Sequence, residues 1–484
     1  MRSIGLGFNI YISNKIGSEA VGIFSLVMSV YSFAITIATS GIGLAATCLV
    51  AEDFAIGDNN KALKTMRTCI ILSLLLGIIS ATLIILGANK IAEVWLHGQV
   101  SSKPIYFVAI GLPFIAISSS INGYFSAVRK AYKTATSQLF ELIIKIIATV
   151  FLLNIFISKG VEYICIALIG ADVISEIFSF TYIYILYIFD KRKYYIKRNN
   201  VFDCTKRILK ISLPFSITSY IRSGLSTLKQ LIIPIRLEKY GLSCATALSQ
   251  YGLISGMVMP VIMFPCTFIN SFSSLLIPEF SSYYANKNFN SINYVCTKIF
   301  KITSLFSIGI ASIFFYFSNE ISLAIYQNLD SSIFIKIFAP LIFFMYMDSV
   351  IDGILKGLKQ QISVMCCNIL DLIISISFIY YLLPIQGIRG YVIVIYISEI
   401  LNFSISIYQL FKFSNLKFKF IDWIIKPIFA STISFSILNI FYFNCTNEIL
   451  QLIINICIFI IIFTLTSISI SLYDKKYHFF VVKT

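Results

Sequence analysis

The chain has 484 residues, of which 58% are hydrophobic and only 12% charged. Soluble domains run roughly 45–50% apolar and about 25% charged, so a chain folded as ordinary soluble domains is excluded. So is a disordered chain, which needs low hydrophobicity. An integral membrane protein remains. Its 38 Lys and Arg stand against 22 Asp and Glu, a net charge of +16.

A spanning helix needs about 20 mostly apolar residues. In chain order the pattern predicts spans at Val21–Val50, Thr68–Gly87, Ile105–Ala127, Ser137–Ser158 and Val161–Phe189. After a basic gap come Ile208–Ile235, Ala245–Ile277, Ile302–Tyr316 with its flanks, Ile333–Leu355, Ile362–Leu383, Tyr391–Phe411, Trp423–Phe443 and Leu450–Leu472. A short apolar piece, Ile4–Ile12, precedes them and reads as the tail of a further helix. Continuous spans of this length cannot be barrel strands. The fold class is therefore an all-α integral membrane protein of about 14 transmembrane helices, the first apparently truncated, since no more than Met1 precedes Arg2 where Arg222 follows a long apolar stretch.

The loops on one side, near 51–67, 128–136, 190–210, 278–301, 356–361, 412–426 and after Leu472, hold 26 of the 38 cations, and the opposite loops hold 8. By the excess of cations in cytoplasmic loops, both termini are cytoplasmic. The most basic run, Asp190–Arg198, reads as an anchor beside anionic headgroups.

An internal repeat is legible. Ile121–Arg129 (INGYFSAVR) aligns with Ile351–Lys359 (IDGILKGLK), and at the same offset Leu139–Ile144 (LFELII) aligns with Ile369–Ile374 (LDLII with a leading Ile). Ile174–Phe180 matches Ile397–Phe403, and Leu49–Glu52 matches Leu276–Glu279. Repeats six spans apart share one orientation, as in transporters with parallel repeats. The expected organisation is a six-helix lobe (1–190), a basic cytoplasmic linker (191–207), a second six-helix lobe (208–412), and two additional helices with a short tail (413–484).

Charges within hydrocarbon usually face a cavity or a partner. Arg2 and Arg222 hold equivalent places in the first helix of each half, and Lys229 lies two turns beyond Arg222 on the same face. A planar guanidinium suits a phosphate and Lys adds a point charge, so these three form a candidate anion site for a phosphate or pyrophosphate headgroup. The acids recur in pairs: Glu141 with Asp371, Glu176 with Glu399, and Asn122 with Asp352. Glu141 precedes Lys145 by four residues, a spacing for a pair on one helix face. Asp172 with Glu176, and Asp348 with Asp352, are also four apart and repel unless a proton or cation intervenes. Asp348 and Asp352, with Asn122, are candidates for H+ or Na+ coupling; Glu141, Lys145, Asp172, Glu176, Asp371 and Glu399 read as structural ion pairs. Pro214, Pro234, Pro260, Pro265, Pro278 and Pro340 lie in or at the ends of spans and permit bends.

Only two histidines exist, His97 and His478, and the eleven cysteines include no CxxC. No Walker motif or dinucleotide fingerprint is present. The reading is a chain without cofactor, metal site, nucleic-acid partner or enzymatic activity.

Phe8–Gly17 (FNIYISNKIG), Ser40–Gly43 (SGIG), Leu49–Glu52 (LVAE), Leu112–Ser118 (LPFIAIS), Gly123-Tyr-Phe125, Arg129-Lys130, Ser249–Gly252 (SQYG), Leu276–Glu279 (LIPE) and Ile351-Asp-Gly353 with Gly357 resemble the stage V sporulation protein B branch of the polysaccharide and lipid-linked oligosaccharide flippases. That branch belongs to the superfamily that also contains multidrug extruders and the lipid II flippase. The resemblance runs through Phe411. It implies two lobes around a central cavity, alternating access, and outward movement of polyprenyl-pyrophosphate-linked saccharides or peptidoglycan precursors across the bacterial cytoplasmic membrane by a monomer. It also implies a headgroup role for arginines in the early helices of each lobe, here Arg2 and Arg222. Two other readings stay open: a cation-coupled multidrug exporter, and a membrane scaffold for cell-wall or spore-cortex assembly.

Overall fold

The computed structural model describes residues 2–39, 41–95, 102–192, 203–413, 420–441, 443 and 447–481. His97, most of the basic run 190–198 and the middle of the linker fall outside the described residues, as does the side chain of His478.

Helix α1 (Arg2–Thr39) is interrupted at Gly17, whose φ of 79° an L side chain adopts only under strain. Its second segment runs on past Gly41 into α2 (Ile42–Ala55). Then come α3 (Asn59–Lys90), α4 (Lys103–Ala127), α5 (Ala131–Phe156) and α6 (Val161–Lys191). The second half opens with α7 (Asp203–Lys239). A broken unit follows: α8 (Cys244–Tyr251), a wide helical turn at Gly252–Val258, α9 (Met259–Met263) and α10 (Cys266–Ala285). Next are α11 (Phe289–Tyr316), the short α12 (Ser318–Tyr326), and α13 (Asp330–Phe338) with α14 (Leu341–Gly357), bent by 54° at Pro340. Helices α15 (Gln361–Gln386), α16 (Ile388–Phe413), α17 (Lys426–Ile440) and α18 (Glu448–Val481) complete the bundle.

The described residues are helical without strands, and 11 of the helices are long and apolar enough to cross a membrane, or 12 if the bent pair counts as one span. The sequence pattern predicts about 14. The difference has two sources. The first segment of α1 counts together with its continuation as one unit, Arg2–Ala55. Helix α7 has the length, but Lys210, Arg222, Lys229 and Arg236 along it make it too polar to register by hydropathy. Large apolar side chains such as Leu86, Ile147, Phe151, Ile385 and Ile440 point outward. On a soluble protein such a surface would be a liability; in a bilayer it is the lipid-facing wall.

The repeat is visible in backbone detail. Arg129 and Lys359, 230 residues apart, both take left-handed conformations, φ 56° and 61°. Each ends its helix in the same way: the Lys130 N–H donates to the Phe125 carbonyl at 2.8 Å and the Gln360 N–H to the Leu355 carbonyl at 2.9 Å. Asp58 and Asn288 both cap the helix that follows, accepting from the Lys61 and Ser291 N–H groups.

The halves touch along α1 and the α8 unit. A Cβ at Gly22 would overlap the Leu248 carbonyl, and one at Gly252 would overlap the Ser18 carbonyl. Beside this crossing the Ser18 and Ser249 hydroxyls are 2.7 Å apart. Small residues let two helix backbones approach this closely. At the other end of α1 and α2 the connection is ionic. Arg207 of α7 sits 2.6 Å from buried Asp53 and 2.8 Å from Glu52, while the Thr65 hydroxyl donates to Asp53 at 2.8 Å.

The crossing gives a direct test. In a background lacking other reactive cysteines, the pair Ser18→Cys with Ser249→Cys should form a disulfide on mild oxidation, seen as a gel-mobility shift. Adding Gly252→Val should lower the yield several-fold, because the new side chain has no room beside the Ser18 carbonyl. Equal yields would mean that the helices do not cross here.

Candidate functional site

Arg222 lies mid-way along α7 and lines a cavity of about 480 Å³ together with Thr36, Ser223, Asp352, Lys356 and Asn368. The cavity thus has walls from both halves: α1 supplies Thr36, whose hydroxyl is 3.0 Å from that of Ser223, and α14 supplies Asp352. Asp352 is 3.6 Å from Lys356 one turn on, and it also lies in the field of Arg222. Among the described residues Arg222 makes no ion pair. An arginine on a cavity wall keeps its five N–H donors for whatever enters.

The other two cations of the expected anion site are not brought to this cavity. Arg2, at the exposed start of α1, acts on the Cys266 thiol at the break between α9 and α10. The first segment of α1 ends at Gly17, and its start lies against the other half's broken helix rather than beside Arg222. Lys229 shares a helix with Arg222, but α7 packs on α15, and there Lys229 lies in the fields of Asp371 and Glu399.

The acids divide among neighbours on other helices. Lys145 reaches Asp172 of α6 at 2.6 Å instead of pairing with Glu141 on its own helix. Glu141 accepts from the Ser179 hydroxyl at 3.1 Å, and Ser179 in turn is 3.0 Å from Ser137. The second half repeats this motif: Ser398 donates to Asp371 at 2.6 Å and shares a 3.0 Å bond with Ser375. Glu176 lies in the fields of Glu141, Asp172 and Lys145. Asp348 accepts from Asn402 at 2.8 Å and Asp352 turns to Lys356, while Asp348 still lies in the field of Asp352. The Asn122 side-chain oxygen is buried without a hydrogen bond among the described residues.

A second cavity of about 360 Å³ is lined by Asn9, Lys145, Thr149 and Asp172 of the first half and by Ser255 and Pro260 of the second. Two of the site's features escaped sequence reasoning. Arg207 counted only as a linker cation, although it clamps Glu52 and Asp53. Tyr31 and Thr149 are neutral and sit among apolar residues, so nothing in the pattern marks them; both hydroxyls are buried without a hydrogen bond among the described residues.

Two repeated helical halves with polar cavities walled by both define a membrane transporter of the flippase type. Residues 1–284 match the family model described as "Polysaccharide biosynthesis protein", and the chain belongs to that family. Residues 240–381 match the MatE family model. The chain is 25% identical over 397 residues to stage V sporulation protein B of Bacillus subtilis (strain 168), covering 80% of this chain and 76% of the relative. It is 23% identical over 401 residues to the lipid II flippase MurJ of the same organism, covering 74% and 70%. Among solved structures, MurJ in an inward closed conformation superposes with a TM-score of 0.73 at 16% identity, covering 98% of this chain and 97% of that one. An inward-facing multidrug resistance MATE family transporter of the MOP superfamily superposes with a TM-score of 0.61 at 15% identity, covering 84% and 92%.

Removing Lys145 would leave the buried Asp172 carboxylate without its counter-charge, a loss of about 3–5 kcal/mol for a broken buried pair. Lys145→Met should therefore lower the melting temperature of the detergent-purified protein clearly, and Lys145→Met with Asp172→Leu should recover most of it. A single variant as stable as the parent would show that the pair contributes nothing.

Proposed function

We propose that this chain moves a polyprenyl-pyrophosphate-linked saccharide or peptidoglycan precursor from the inner to the outer leaflet of the bacterial cytoplasmic membrane. The proposed moving parts are the lobes 1–190 and 208–412, joined by the linker 191–207 and followed by the helices of 413–484. Both termini face the cytoplasm in this reading, and the protein works as a monomer among membrane lipids.

The observation that carries the proposal is Arg222 on the wall of a cavity shared by both halves. A pyrophosphate cannot cross hydrocarbon unaided, and a guanidinium without a carboxylate partner is suited to hold it. Asn368, Ser223 and Thr36 add neutral hydrogen-bonding groups for sugar or phosphate oxygens. The crossing at Gly22 and Gly252 lies just past the Gly17 break of α1, at the level that the distribution of loop cations assigns to the outside. Closure there, with a polar cavity nearer the cytoplasmic ends of α1 and α7, fits a chain ready to load from the inner leaflet. In this reading Arg2 meets the headgroup later, at the α9–α10 break, and Lys229 sets the local charge through Asp371 and Glu399.

The match of residues 240–381 to the MatE model favours a second reading, a cation-coupled multidrug exporter. A cationic drug would be repelled by Arg222, so one substitution separates the two. In proteoliposomes or a depletion strain, Arg222→Ala should cut translocation of a lipid-linked saccharide at least tenfold with normal protein levels, and Arg222→Lys should restore part of it. Unchanged lipid translocation, or a gain in cationic drug efflux, would favour the exporter. Unchanged physiology with no transport of either substrate would favour the scaffold.

A further inference from the structure

We infer that Lys356 of α14 is a second anion ligand in the Arg222 cavity, and that the two cations together select a diphosphate linkage over a single phosphate. This deepens the flippase reading and rests on it for the chemical class of the ligand.

Placement comes first. Helix α14 lays Gly353 and Gly357 against α10: a Cβ on Gly353 would overlap the Ser273 hydroxyl, and one on Gly357 would stand 2.7 Å from the Phe280 Cβ. Residues four apart share a helix face. With that glycine stripe held against α10, the stripe one residue earlier, Asp352 and Lys356, turns to the cavity, and both residues line it. Arg222 faces the same space from α7. Among the described residues these three are the charged groups on its wall, which carries one net positive charge when all are ionised. Two cations on different helices can each take one phosphate of a diphosphate.

The second observation is the looseness of the tie that holds Lys356. Its ammonium is 3.6 Å from Asp352, and the two side chains are 41% and 20% exposed. A solvated pair four residues apart on a helix is weak, and a lysine stem is flexible. The ammonium can therefore leave Asp352 for a phosphate oxygen at little cost. Arg222 brings a planar fork and Lys356 a mobile point charge, a combination suited to two linked phosphates. The second phosphate supplies the charge that draws Lys356 away from Asp352; a single phosphate held by Arg222 leaves that pair in place.

The third is where the charged pair stands and where it is missing. Lys356 lies in the last turn of α14, on the side that the loop cations assign to the cytoplasm, so a headgroup arriving from the inner leaflet meets it early. Gln361 and Asn368, seven apart on α15 and so on one face, add amide groups to the same wall. The first half keeps the frame without the charges. At the offset of 230 Gly123 matches Gly353, and a Cβ there would likewise overlap a neighbouring helix, at the Gly43 carbonyl. Asn122 and Ser126 stand where the second half has Asp352 and Lys356. Helix packing therefore does not require the charges; they belong to this cavity.

The test measures binding to the full chain in lipid nanodiscs with two probes, a short polyprenyl chain joined to the same hexose through a diphosphate or through a single phosphate. The parent should bind the diphosphate probe about tenfold tighter, the scale of one hydrogen bond to a charged group. Lys356→Met should bring the diphosphate probe down to the affinity of the monophosphate probe and leave the latter nearly unchanged, while Arg222→Ala should weaken both. Asp352→Asn should tighten the diphosphate probe several-fold, because the ammonium no longer has a partner to leave. If Lys356→Met fails to give monodisperse protein, Lys356→Gln and Asp352→Asn carry the test. The inference is overturned, with the flippase reading left standing, if the parent binds both probes alike, if the Lys356 variant weakens both equally or neither, or if Asp352→Asn loosens the diphosphate probe. Binding of neither probe by the parent would overturn the flippase reading and this inference with it.

Discussion

Placing an ionised side chain in hydrocarbon costs several kcal/mol unless a partner or water meets it. The arrangement of this bundle follows from that cost. Helices α5, α15 and α18 turn long apolar side chains to the lipid, and the intramembrane charges are drawn to seams between helices or to cavity walls. Lys145 bridges to another helix because Asp172 there is nearly closed off from solvent, whereas Glu141 has a hydroxyl to satisfy it. Arg222 escapes pairing because its place is a cavity and not a seam. That unpaired cation is the feature on which the proposed anion site rests.

The internal repeat supplies the frame for these placements. Two copies of one unit end their fourth spans with the same left-handed residue and begin their third with the same kind of cap. Their contact near the pseudo-symmetry axis joins related positions to one another, Gly22 to the Gly252 segment and Ser18 to Ser249. Backbones in such close contact have little room for intermediate separations. A contact of this kind is made or broken as a unit, and that property suits a gate between two rigid halves.

Much of this was legible in the chain itself. Hydropathy gave the helical membrane class and nearly every span, because a window of apolar residues has no other stable fate. The repeat could be read from INGYFSAVR and IDGILKGLK, since turn chemistry is local and survives drift elsewhere. The ordering of the expected anion site was not legible. Arg2, Arg222 and Lys229 look alike in sequence, yet which of them meets a cavity depends on which helix packs beside it, and helix spacing along a chain does not carry that information. Lys145 shows the same limit: the four-residue spacing from Glu141 suggested a local pair, and tertiary packing offered a deeper acid. The partners of Asp348 and Asp352 divide in the same way: Asn402 on another helix meets Asp348, and Lys356 on their own helix meets Asp352. Tyr31 could not have been found at all, because the space for its hydroxyl comes from Gly111, eighty residues away.

The two halves share a backbone but not a chemistry. Here the second half has Arg222 beside the large polar cavity, and its Lys229 lies in the fields of Asp371 and Glu399. The first half has an excess of carboxylates over lysines and a hydroxyl held among them by the space at Gly111. The unpaired cation on a cavity wall thus stands in one half, and the crowded carboxylates stand in the other. Both cavities are closed by residues of the opposite half, so a change in either is felt at the contact between lobes.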